Sequence, residues 1–304
     1  MQSNFNEALV QSQEHHKIIF SDYDINKVVY NGMLCRLDIS TDSLIFTNVD
    51  SNRTECSVKL CDVIGCREAK MTKKTAHSFA HRCIEVYSYP LPESKCFASF
   101  TNSTLRSRRV HSFTVVDANA CENVINVIRT MARGFPLTRD ANGAYRPPKP
   151  LKYLIFINPV GGTGKALQIW HKESEHMFHE ANIECQVIVT ERADHAKDIC
   201  STRDMSDVNG VAIVGGDGLI FEVVSGLSSR PGGKKDVLRN LPLIPIPGGS
   251  GNGLAKSISF ECGEECNATT AAFIAIKGTA TPLDVSRVTT ATKEYSSFLL
   301  FGWV

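Results

Sequence analysis

Three glycine-rich turns in the second half of the chain constrain its fold more than any other feature of the sequence. They are Asn158-Pro-Val-Gly-Gly-Thr-Gly-Lys165, Gly215-Gly-Asp-Gly218 and Pro247-Gly-Gly-Ser-Gly-Asn252, and each follows a short apolar run. Glycine permits a positive φ and lets backbone N–H groups come close to an anion, and a helix N-terminus adds favourable potential for phosphate. The three turns together therefore predict a binding site for a polyphosphate.

Short apolar runs alternate with segments of helical character from Tyr153 onwards. Strands that alternate with helices favour a mostly parallel sheet covered on both faces, so this half of the chain is predicted to be an α/β lobe. Ligands of such sheets bind where strand C-termini meet helix N-termini. We therefore expect the three turns to lie together at one edge of the sheet. The predicted strands are Tyr153–Ile157, Cys185–Val189, Val211–Val214 and Leu243–Ile246, and the predicted helices are Lys165–Asn182 and Phe221–Ser228.

Other glycine motifs fit these turns less well. A Walker A loop that ends at Lys165 needs Gly at position 159 and Ser or Thr at 166, where the chain has Pro159 and Ala166. The dinucleotide-binding pattern lacks its third glycine in both later turns. The nucleophile pattern of hydrolases fails around Ser250, because Asn252 replaces its second glycine. Ser250 is therefore interpreted as a phosphate donor.

Asp217 is the residue that most strongly suggests chemistry. A carboxylate between two glycines at a strand end lies close to any bound phosphate, and it would repel the phosphate unless it bound Mg²⁺ or took a proton from an incoming hydroxyl. The alternative is that Asp217 caps the helix that runs through Glu222. Glu222 could orient Asp217 or the metal, or it could be a solvated helix carboxylate.

The first half of the chain has the pattern of an antiparallel β domain closed by one helix. Turn clusters separate the predicted strands, and apolar residues at helical spacing follow Asp117 up to Gly134. Residues 28–134 resemble a pleckstrin-homology barrel in this order of elements, so the whole chain is predicted to be α+β and multidomain. The predicted elements are strands Gly32–Ile39, Leu44–Asn48, Cys56–Ile64, Cys83–Tyr89, Lys95–Thr101 and Arg109–Val116 and helix Ala120–Arg133.

The remaining segments complete the predicted organisation. Residues 1–27 are expected to be a flexible N-terminus, and the proline-rich residues 135–150 an extended linker. The catalytic lobe is expected at 151–289. The apolar run Phe298-Leu-Leu-Phe-Gly-Trp-Val304 needs partners on both faces, so residues 290–304 are interpreted as the start of a truncated β domain.

Composition narrows the class of protein. The chain has 304 residues with 33 Lys+Arg and 32 Asp+Glu, so its net charge of +1 gives no reason to expect nucleic acid as a partner. The N-terminus does not resemble a secretory signal, and no run of about 18 apolar residues predicts a transmembrane helix. The 11 cysteines therefore indicate reduced thiols in the cytoplasm. Their spacing does not match a zinc site, so no metal ligand is assigned.

At the glycine turns the chain resembles the catalytic domain of the diacylglycerol kinase superfamily, and within it the sphingosine kinases. The resemblance covers about 150–289, less than half of the chain. Sphingosine kinases share the continuation of the third turn, which ceramide kinases lack. The motifs that carry the resemblance are Asn158-Pro-x-Gly-Gly, Thr190-Glu-Arg, Gly215-Gly-Asp-Gly-Leu-x-x-Glu-Val-Val, Pro247-Gly-Gly-Ser-Gly-Asn-Gly-Leu-Ala and Pro282-Leu-Asp-Val.

The resemblance implies a reaction and a set of roles. Asp217 corresponds to the general base that deprotonates the primary hydroxyl of a sphingoid base for attack on the γ-phosphate of ATP, with Mg²⁺ as cofactor. A lipid substrate implies an enzyme that works at the membrane surface as a peripheral protein. The family's lipid pocket lies largely in a following β-rich domain. The residues implied in nucleotide binding are Asn158, Gly161, Gly162, Thr190, Gly215, Gly216, Gly218, Glu222, Gly249, Ser250 and Gly251.

Two alternatives stay open at this point. One is a ceramide or diacylglycerol kinase. The other is a non-catalytic fragment that binds lipid or protein through its N-terminal domain, where basic residues could contact anionic head groups or form an ordinary solvated face. These basic residues are Lys73, Lys74, Arg106, Arg108 and Arg109.

Overall fold

The computed structural model describes residues 18–20, 27–69, 82–92, 105–115, 118–230, 235–289, 291–292 and 294–297. The contacts divide the chain into two compact units. Unit 1 contains Met1–Ser88 and Arg109–Pro148, and unit 2 contains Tyr89–Arg108 and Lys149–Val304. Residues 89–108 therefore belong to the second unit, although they lie between two strands of the first.

Unit 1 is built on an antiparallel sheet. Its central path has the order β5-β4-β3-β2-β8-β7-β6, and β1 pairs with the end of β3. Along β3 the side chains of Cys35, Leu37 and Ile39 are fully buried at alternate positions, as expected for a strand with one face in a core. The strands are β1 Ile18–Phe20, β2 Lys27–Tyr30, β3 Met33–Ser40, β4 Ser43–Asn48, β5 Thr54–Lys59, β6 Val63–Glu68, β7 Arg82–Ser88 and β8 Arg109–Val115.

The sheet of unit 1 is strongly curled. The rings of Phe46 on β4 and Phe113 on β8 are 5.3 Å apart between centroids, although β3 and β2 separate these strands. In a flat sheet this separation would be about 14 Å, because neighbouring strands are about 4.8 Å apart. The pairing path nevertheless ends openly at β5 and β6 in the part of the chain that the structure describes. A closed barrel of the pleckstrin-homology type therefore stays a prediction.

One helix, α1 Ala118–Ala132, packs on this sheet with Val124, Val127 and Ile128 fully buried. The chain then turns at Gly134, whose φ is +70°. The predicted helix Ala120–Arg133 matches α1 closely.

Some predictions for this half of the chain need correction, and others concern residues that the structure does not describe. The expected single strand Cys56–Ile64 is broken, because a 3₁₀ turn at Leu60–Asp62 separates β5 from β6. The N–H of Leu60 donates to the carbonyl of Asp42 at 2.6 Å in continuation of the β4–β5 pairing, and the N–H of Val63 then donates to the carbonyl of Leu60 and closes the turn. The expected flexible N-terminus 1–27 is too long, because it contains β1, which pairs with β3, and the first residue of β2. Its residues 1–17 and 21–26 and the predicted strand Lys95–Thr101 lie outside the described residues.

The segment 135–150 is ordered by contacts with α1 rather than fully extended. The Nδ2 group of Asn126 donates to the carbonyl of Tyr145 at 2.8 Å, and the N–H of Tyr145 donates to Oδ1 of Asn123 at 3.0 Å. Arg139 and Tyr145 also form an isolated antiparallel bridge. The division between the units falls after Pro148, close to the predicted domain boundary.

Unit 2 contains a parallel four-stranded sheet with the order β10-β9-β11-β12. Its strands are β9 Leu151–Ile157, β10 Ile183–Val189, β11 Gly210–Gly215 and β12 Leu243–Pro247. Ile157 pairs with both Val189 and Val214, and Gly215 pairs with Pro247, so the four carboxyl ends lie at one edge. The strand that follows β9 in the sequence lies on one side of it and the later strands lie on the other, so the strand order reverses between β9 and β11, which is where ligands of such sheets bind.

Helices connect these strands, and the predicted α/β alternation is present. The predicted helix Lys165–Asn182 contains a π-helical turn at Trp170–Ser174, and the predicted helix Phe221–Ser228 begins earlier, at Asp217. A hairpin of β13 Ser286–Thr289 and β14 Glu294–Ser297 spans the predicted boundary at 289, and residues 298–304 lie outside the description. The helices are α2 Ala166–Ile169, α3 Glu175–Glu180, α4 His195–Thr202, α5 Asp217–Ser228, α6 Lys235–Asn240, α7 Gly253–Glu261 and α8 Ala268–Lys277.

Candidate nucleotide-binding site

The three glycine turns are in direct backbone contact. A Cβ at Gly162, whose φ is +61°, would lie 2.5 Å from the backbone nitrogen of Ser250. A Cβ at Gly249 would lie 2.5 Å from the backbone nitrogen of Gly216. Only glycine allows backbones to approach so closely, so the first turn touches the third and the third touches the second. The juxtaposition predicted from the sequence is present at the carboxyl edge of the sheet.

The Asn158 side chain shapes the first turn. Its Oδ1 accepts hydrogen bonds from the N–H groups of Val160 and Gly161, at 3.1 and 3.0 Å. A Cβ at Gly161 would lie 2.9 Å from Nδ2 of the same asparagine, so a larger residue there would displace the Asn158 side chain. Asn158 therefore folds the loop through its carbonyl group, and its NH₂ group is the part of the side chain that could donate to a phosphate oxygen.

Asp217 joins the second turn to the helix that follows the third. Its Oδ2 accepts from the N–H of Gly253 at 2.7 Å, and its Oδ1 accepts from the N–H of Leu254 at 3.2 Å. Its own N–H donates to the carbonyl of Gly251 at 3.0 Å. Asp217 thus does not cap its own helix α5, where Gly216 occupies the N-cap position; it accepts from the first turn of α7 instead. Each carboxylate oxygen retains a second lone pair that could accept a proton.

The third turn is closed by a residue that the sequence analysis did not select. The Oδ1 of Asn252 accepts from the N–H of Gly249 at 3.1 Å, and its Nδ2 donates to the carbonyl of Gly249 at 2.8 Å. This reciprocal pair fixes the loop around the exposed Ser250. An asparagine directly after a Gly-Ser-Gly sequence was the available signal, because asparagine readily bonds the backbone of its own turn.

Thr190 and Glu222 lie at the edges of this arrangement. Thr190 is buried, and both its hydroxyl and its N–H donate to the carbonyl of Ile157, at 3.3 and 2.8 Å. Glu222 lies on α5, and its Oε2 is buried without a hydrogen-bond partner. Burial raises the pKa of Glu222, while backbone hydrogen bonds from Asp194 and Ala196 oppose that shift.

The hypothesis that Glu222 orients Asp217 has no support in the described residues. The groups that act on Glu222 belong to the segment Asp194–Ala196, whereas Asp217 is held by Gly253 and Leu254. The contacts between the turns therefore bring most of the predicted site residues together. Thr190 is connected to them only through its bonds to Ile157 on β9. Glu222 and Gly218 lie on α5 and take no part in the contacts between the turns. The linked residues are Asn158, Gly161, Gly162, Gly215, Gly216, Asp217, Gly249, Ser250 and Gly251.

The arrangement suits phosphate groups better than a protein-coordinated metal. Gly218 has open space on its Cβ side, with no heavy atom within 4 Å, so a ligand can approach the start of α5 closely. The described residues contain no group of three or more His, Cys, Asp or Glu side chains that could hold a metal ion. Mg²⁺ usually binds through one or two carboxylates together with substrate phosphates. Asp217 could serve as such a carboxylate.

Two of the basic residues considered for head-group binding are engaged within unit 2. Arg106 pairs with Glu264 at 2.6 Å, and Arg108 pairs with Glu180 at 2.6 Å. Arg106 is only 9% exposed and so does not belong to an open face, whereas Arg108 is 44% exposed and its contact with lipid head groups stays a prediction. Lys73 and Lys74 lie outside the described residues, and Arg109 is exposed. Within the described helices, none is long and apolar enough to cross a membrane.

Comparison with known proteins shows which catalytic domain this part of the chain is similar to. Residues 152–288 match the family model described as the diacylglycerol kinase catalytic domain. Among solved structures, a diacylglycerol kinase from Bacillus anthracis is 26% identical and covers 44% of this chain and 42% of that one, with a TM-score of 0.35. The part of the chain that holds the three turns therefore lies within the segment that is similar to this catalytic domain.

Within that class, the chain is similar to sphingosine kinases. It is 37% identical to sphingosine kinase 1 of Arabidopsis thaliana over 155 residues, and this match covers 51% of this chain and 32% of the relative. It is 30% identical to human sphingosine kinase 2 over 257 residues, and this match covers 81% of this chain and 38% of the relative. The chain therefore spans about a third of the length of these curated relatives.

Proposed function

We propose that this protein is an ATP-dependent lipid kinase that phosphorylates the primary hydroxyl of a sphingoid base. The observation that carries the proposal is the position of Asp217, at the edge where the three glycine turns meet. The similarity to sphingosine kinases supports the choice of substrate. A ceramide or diacylglycerol kinase is the alternative within the same class.

Phosphate binding would use the backbone of the turns together with Ser250 and the NH₂ group of Asn158. The N-termini of α5 and α7 lie at the same edge, and the partial positive charge of helix N-termini favours anions there. Phosphoryl transfer needs positioning and charge neutralisation more than covalent chemistry. A cradle fixed by backbone contacts at Gly162, Gly216 and Gly249 provides this positioning.

In the chemical step, the oxygen of the lipid hydroxyl forms a bond to the γ-phosphorus, and the bond from that phosphorus to the bridging oxygen of ADP breaks. The hydroxyl proton passes to a carboxylate oxygen of Asp217. Hydrogen bonds from Gly253 and Leu254 hold that carboxylate in place through this step. Mg²⁺, when bound with the nucleotide, would neutralise charge on the phosphate oxygens.

Substitution of Asp217 by asparagine tests the assignment of the base. A positioned general base contributes on the order of 10²–10⁴-fold, so we expect turnover to fall by about that factor. Because Asp217 also bonds the start of α7, the affinity for a fluorescent ATP analogue must be measured in the same variant. Loss of turnover with retained nucleotide affinity supports the base, whereas unchanged turnover would refute it.

The substrate is tested by transfer of labelled γ-phosphate to sphingosine, ceramide and diacylglycerol in mixed micelles. We expect labelling of sphingosine, and preferential labelling of either other lipid would replace that assignment. Nucleotide binding without labelling of any lipid, in a protein that includes the following β-rich domain that the resemblance implies, would favour the non-catalytic alternative. A long-chain substrate resides in membranes, so a cytoplasmic enzyme that associates peripherally with the membrane surface is part of the proposal.

A further inference from the structure

Two arginines from the segment between β7 and β8 form ion pairs inside unit 2, each through two guanidinium nitrogens. The Nε and Nη2 groups of Arg106 donate to the two carboxylate oxygens of Glu264, at 2.7 and 2.6 Å. The Nε and Nη2 groups of Arg108 lie 2.7 and 2.6 Å from Oε1 of Glu180. The side chains of Arg106 and Glu264 are only 9% and 7% exposed, so both charges of this pair are largely removed from water. In the second pair Glu180 is 5% exposed and Arg108 is 44% exposed, so Arg108 is the only water-accessible charge of that pair.

Further contacts connect the two pairs. The guanidinium of Arg106 lies 3.5 Å from the ring centroid of Phe273 on α8, and its Nη1 donates to the carbonyl of Tyr89 at 2.6 Å. The hydroxyl of the buried Tyr89 donates to Oε2 of Glu180 at 2.7 Å. We use the name strap for residues 89–92 and 105–108, which the structure describes on either side of this network. A buried pair of this kind is sensitive to the loss of one partner, because the other charge is then left uncompensated.

The two glutamates are attached to the helices that follow the first and third glycine turns. Glu180 is the last residue of the helical run that begins at Ala166, directly after the first turn. Glu264 is fixed to the C-terminal end of α7, because its N–H donates to the carbonyl of Ser259 at 2.9 Å. Helix α7 begins at Gly253, directly after the third turn. Each arginine therefore holds the far end of a helix whose near end carries a phosphate-binding loop.

We propose that the strap sets the positions of these two helices, with Arg106 and Arg108 as positioning residues for the nucleotide site. The strap comes from within the sequence of unit 1, outside the residues that match the catalytic domain. The catalytic domain is then completed by a segment about 60 residues upstream of its sequence motif. The role in nucleotide affinity rests on the proposed function, whereas the role in ordering the turns does not.

Four variants of the whole chain separate these roles. Arg106→Met leaves Glu264 without its guanidinium partner, and Arg108→Met does the same for Glu180. Arg106→Lys keeps the charge but loses the planar fork. Arg109→Met is the matched control, because Arg109 is adjacent and exposed. Native-state amide hydrogen exchange and the dissociation constant of trinitrophenyl-ATP are measured at a temperature where each variant is folded by circular dichroism.

The expected effects are local and differ between the two arginines. Arg106→Met should increase exchange about tenfold at Gly249 and Gly253 in and after the third turn. Arg108→Met should do the same at Gly161 and Gly164 in the first turn. Both should weaken trinitrophenyl-ATP binding about tenfold, with Arg106→Lys intermediate and Arg109→Met unchanged.

Each outcome bears on one of the two proposals. If Arg106→Met and Arg108→Met lower the melting temperature but leave turn exchange and nucleotide affinity unchanged, the strap is merely structural and the inference is wrong. If the unsubstituted chain does not bind the nucleotide, the proposed function is wrong. The hydrogen-exchange data alone then test whether the strap orders the glycine turns. If Arg106→Met does not fold, Arg106→Lys decides, because unchanged exchange at Gly249 and Gly253 in that variant contradicts the inference.

Discussion

Glu222 carries a carboxylate that the fold keeps partly out of water. One of its oxygens is buried without a partner, and burial raises its pKa more than the backbone hydrogen bonds at Asp194 and Ala196 lower it. The folded chain therefore binds this proton up to a higher pH than the unfolded chain does. Between the ordinary and the raised pKa the folded state holds more protons, so the free energy of unfolding decreases as the pH rises through this interval.

We expect Glu222→Gln to raise the melting temperature at pH 7, because the neutral amide removes the cost of ionising a buried group. The difference should disappear below about pH 4, where the glutamate is protonated in both states. Thermal unfolding of both proteins between pH 3.5 and 7.5 measures this, with the exposed Glu173→Gln as a control. A lower melting temperature at pH 7 would mean that the Asp194 and Ala196 hydrogen bonds outweigh burial.

The residue scale also shows how far the sequence could specify the site. Asp217 and the glycines are recognisable because strand-end glycines and a carboxylate form a local pattern. The hydrogen-bond partners of Asp217 are not recognisable from the sequence. The N–H groups that bind its carboxylate belong to Gly253 and Leu254, which lie 36 and 37 positions further along the chain. Local patterns carry no information about such a pairing, and the same limit explains why the partners of Arg106 and Arg108, which are Glu264 and Glu180, could not be predicted.

At the scale of elements, the packing of turn against turn determines the shape of the cradle. A Cβ at Gly249 would lie 2.5 Å from both the nitrogen and the Cα of Gly216, and these are backbone atoms that cannot rotate away. Gly218, two residues after Gly216, is a useful comparison, because a Cβ at Gly218 would meet no heavy atom within 4 Å. The two glycines differ in surroundings although they belong to the same cluster of turns.

We therefore expect Gly249→Ala to destabilise unit 2 by about 1–3 kcal/mol, as overpacking does, and to weaken nucleotide binding. Gly218→Ala should leave stability unchanged or raise it by up to about 1 kcal/mol, because alanine is the better helix former at the start of α5. Urea unfolding and titration with trinitrophenyl-ATP measure both effects. Equal destabilisation by the two substitutions would show that the turns are not in the close contact described above.

Element boundaries were predicted well where a local pattern sets them and poorly where a distant contact does. Strand β4 and helix α1 follow from hydrophobic alternation, helical spacing and a terminal glycine. The break between β5 and β6 has no such signal, because the buried Leu60 continues the apolar pattern of the strand into the 3₁₀ turn. The order of the proline-rich segment 135–150 depends on the distant Asn123 and Asn126 of α1.

At the scale of the whole molecule, each unit has a hydrophobic core of its own. Phe113 belongs to the core of unit 1, with Phe46 and Val124, and is 1% exposed. Phe156 belongs to a core of unit 2, with Leu154 and Val223, and is fully buried. Units with separate cores can in principle fold and unfold separately. The sequence indicated this division through its change of pattern near Pro150, but it did not indicate that residues 89–108 belong to the second unit.

Matched substitutions in the two cores test this independence. Phe113→Ala and Phe156→Ala each remove the same buried ring, so each should destabilise its own unit by about 3–5 kcal/mol. In moderate urea, we expect Phe113→Ala to lose hydrogen-exchange protection in α1 and keep it in β11, and Phe156→Ala to show the reverse. Mass spectrometry of peptides from these two elements measures both. Loss of protection in both elements in either variant would instead mean that the units unfold as one cooperative body, in which case a substitution in the N-terminal sheet would also weaken the nucleotide site.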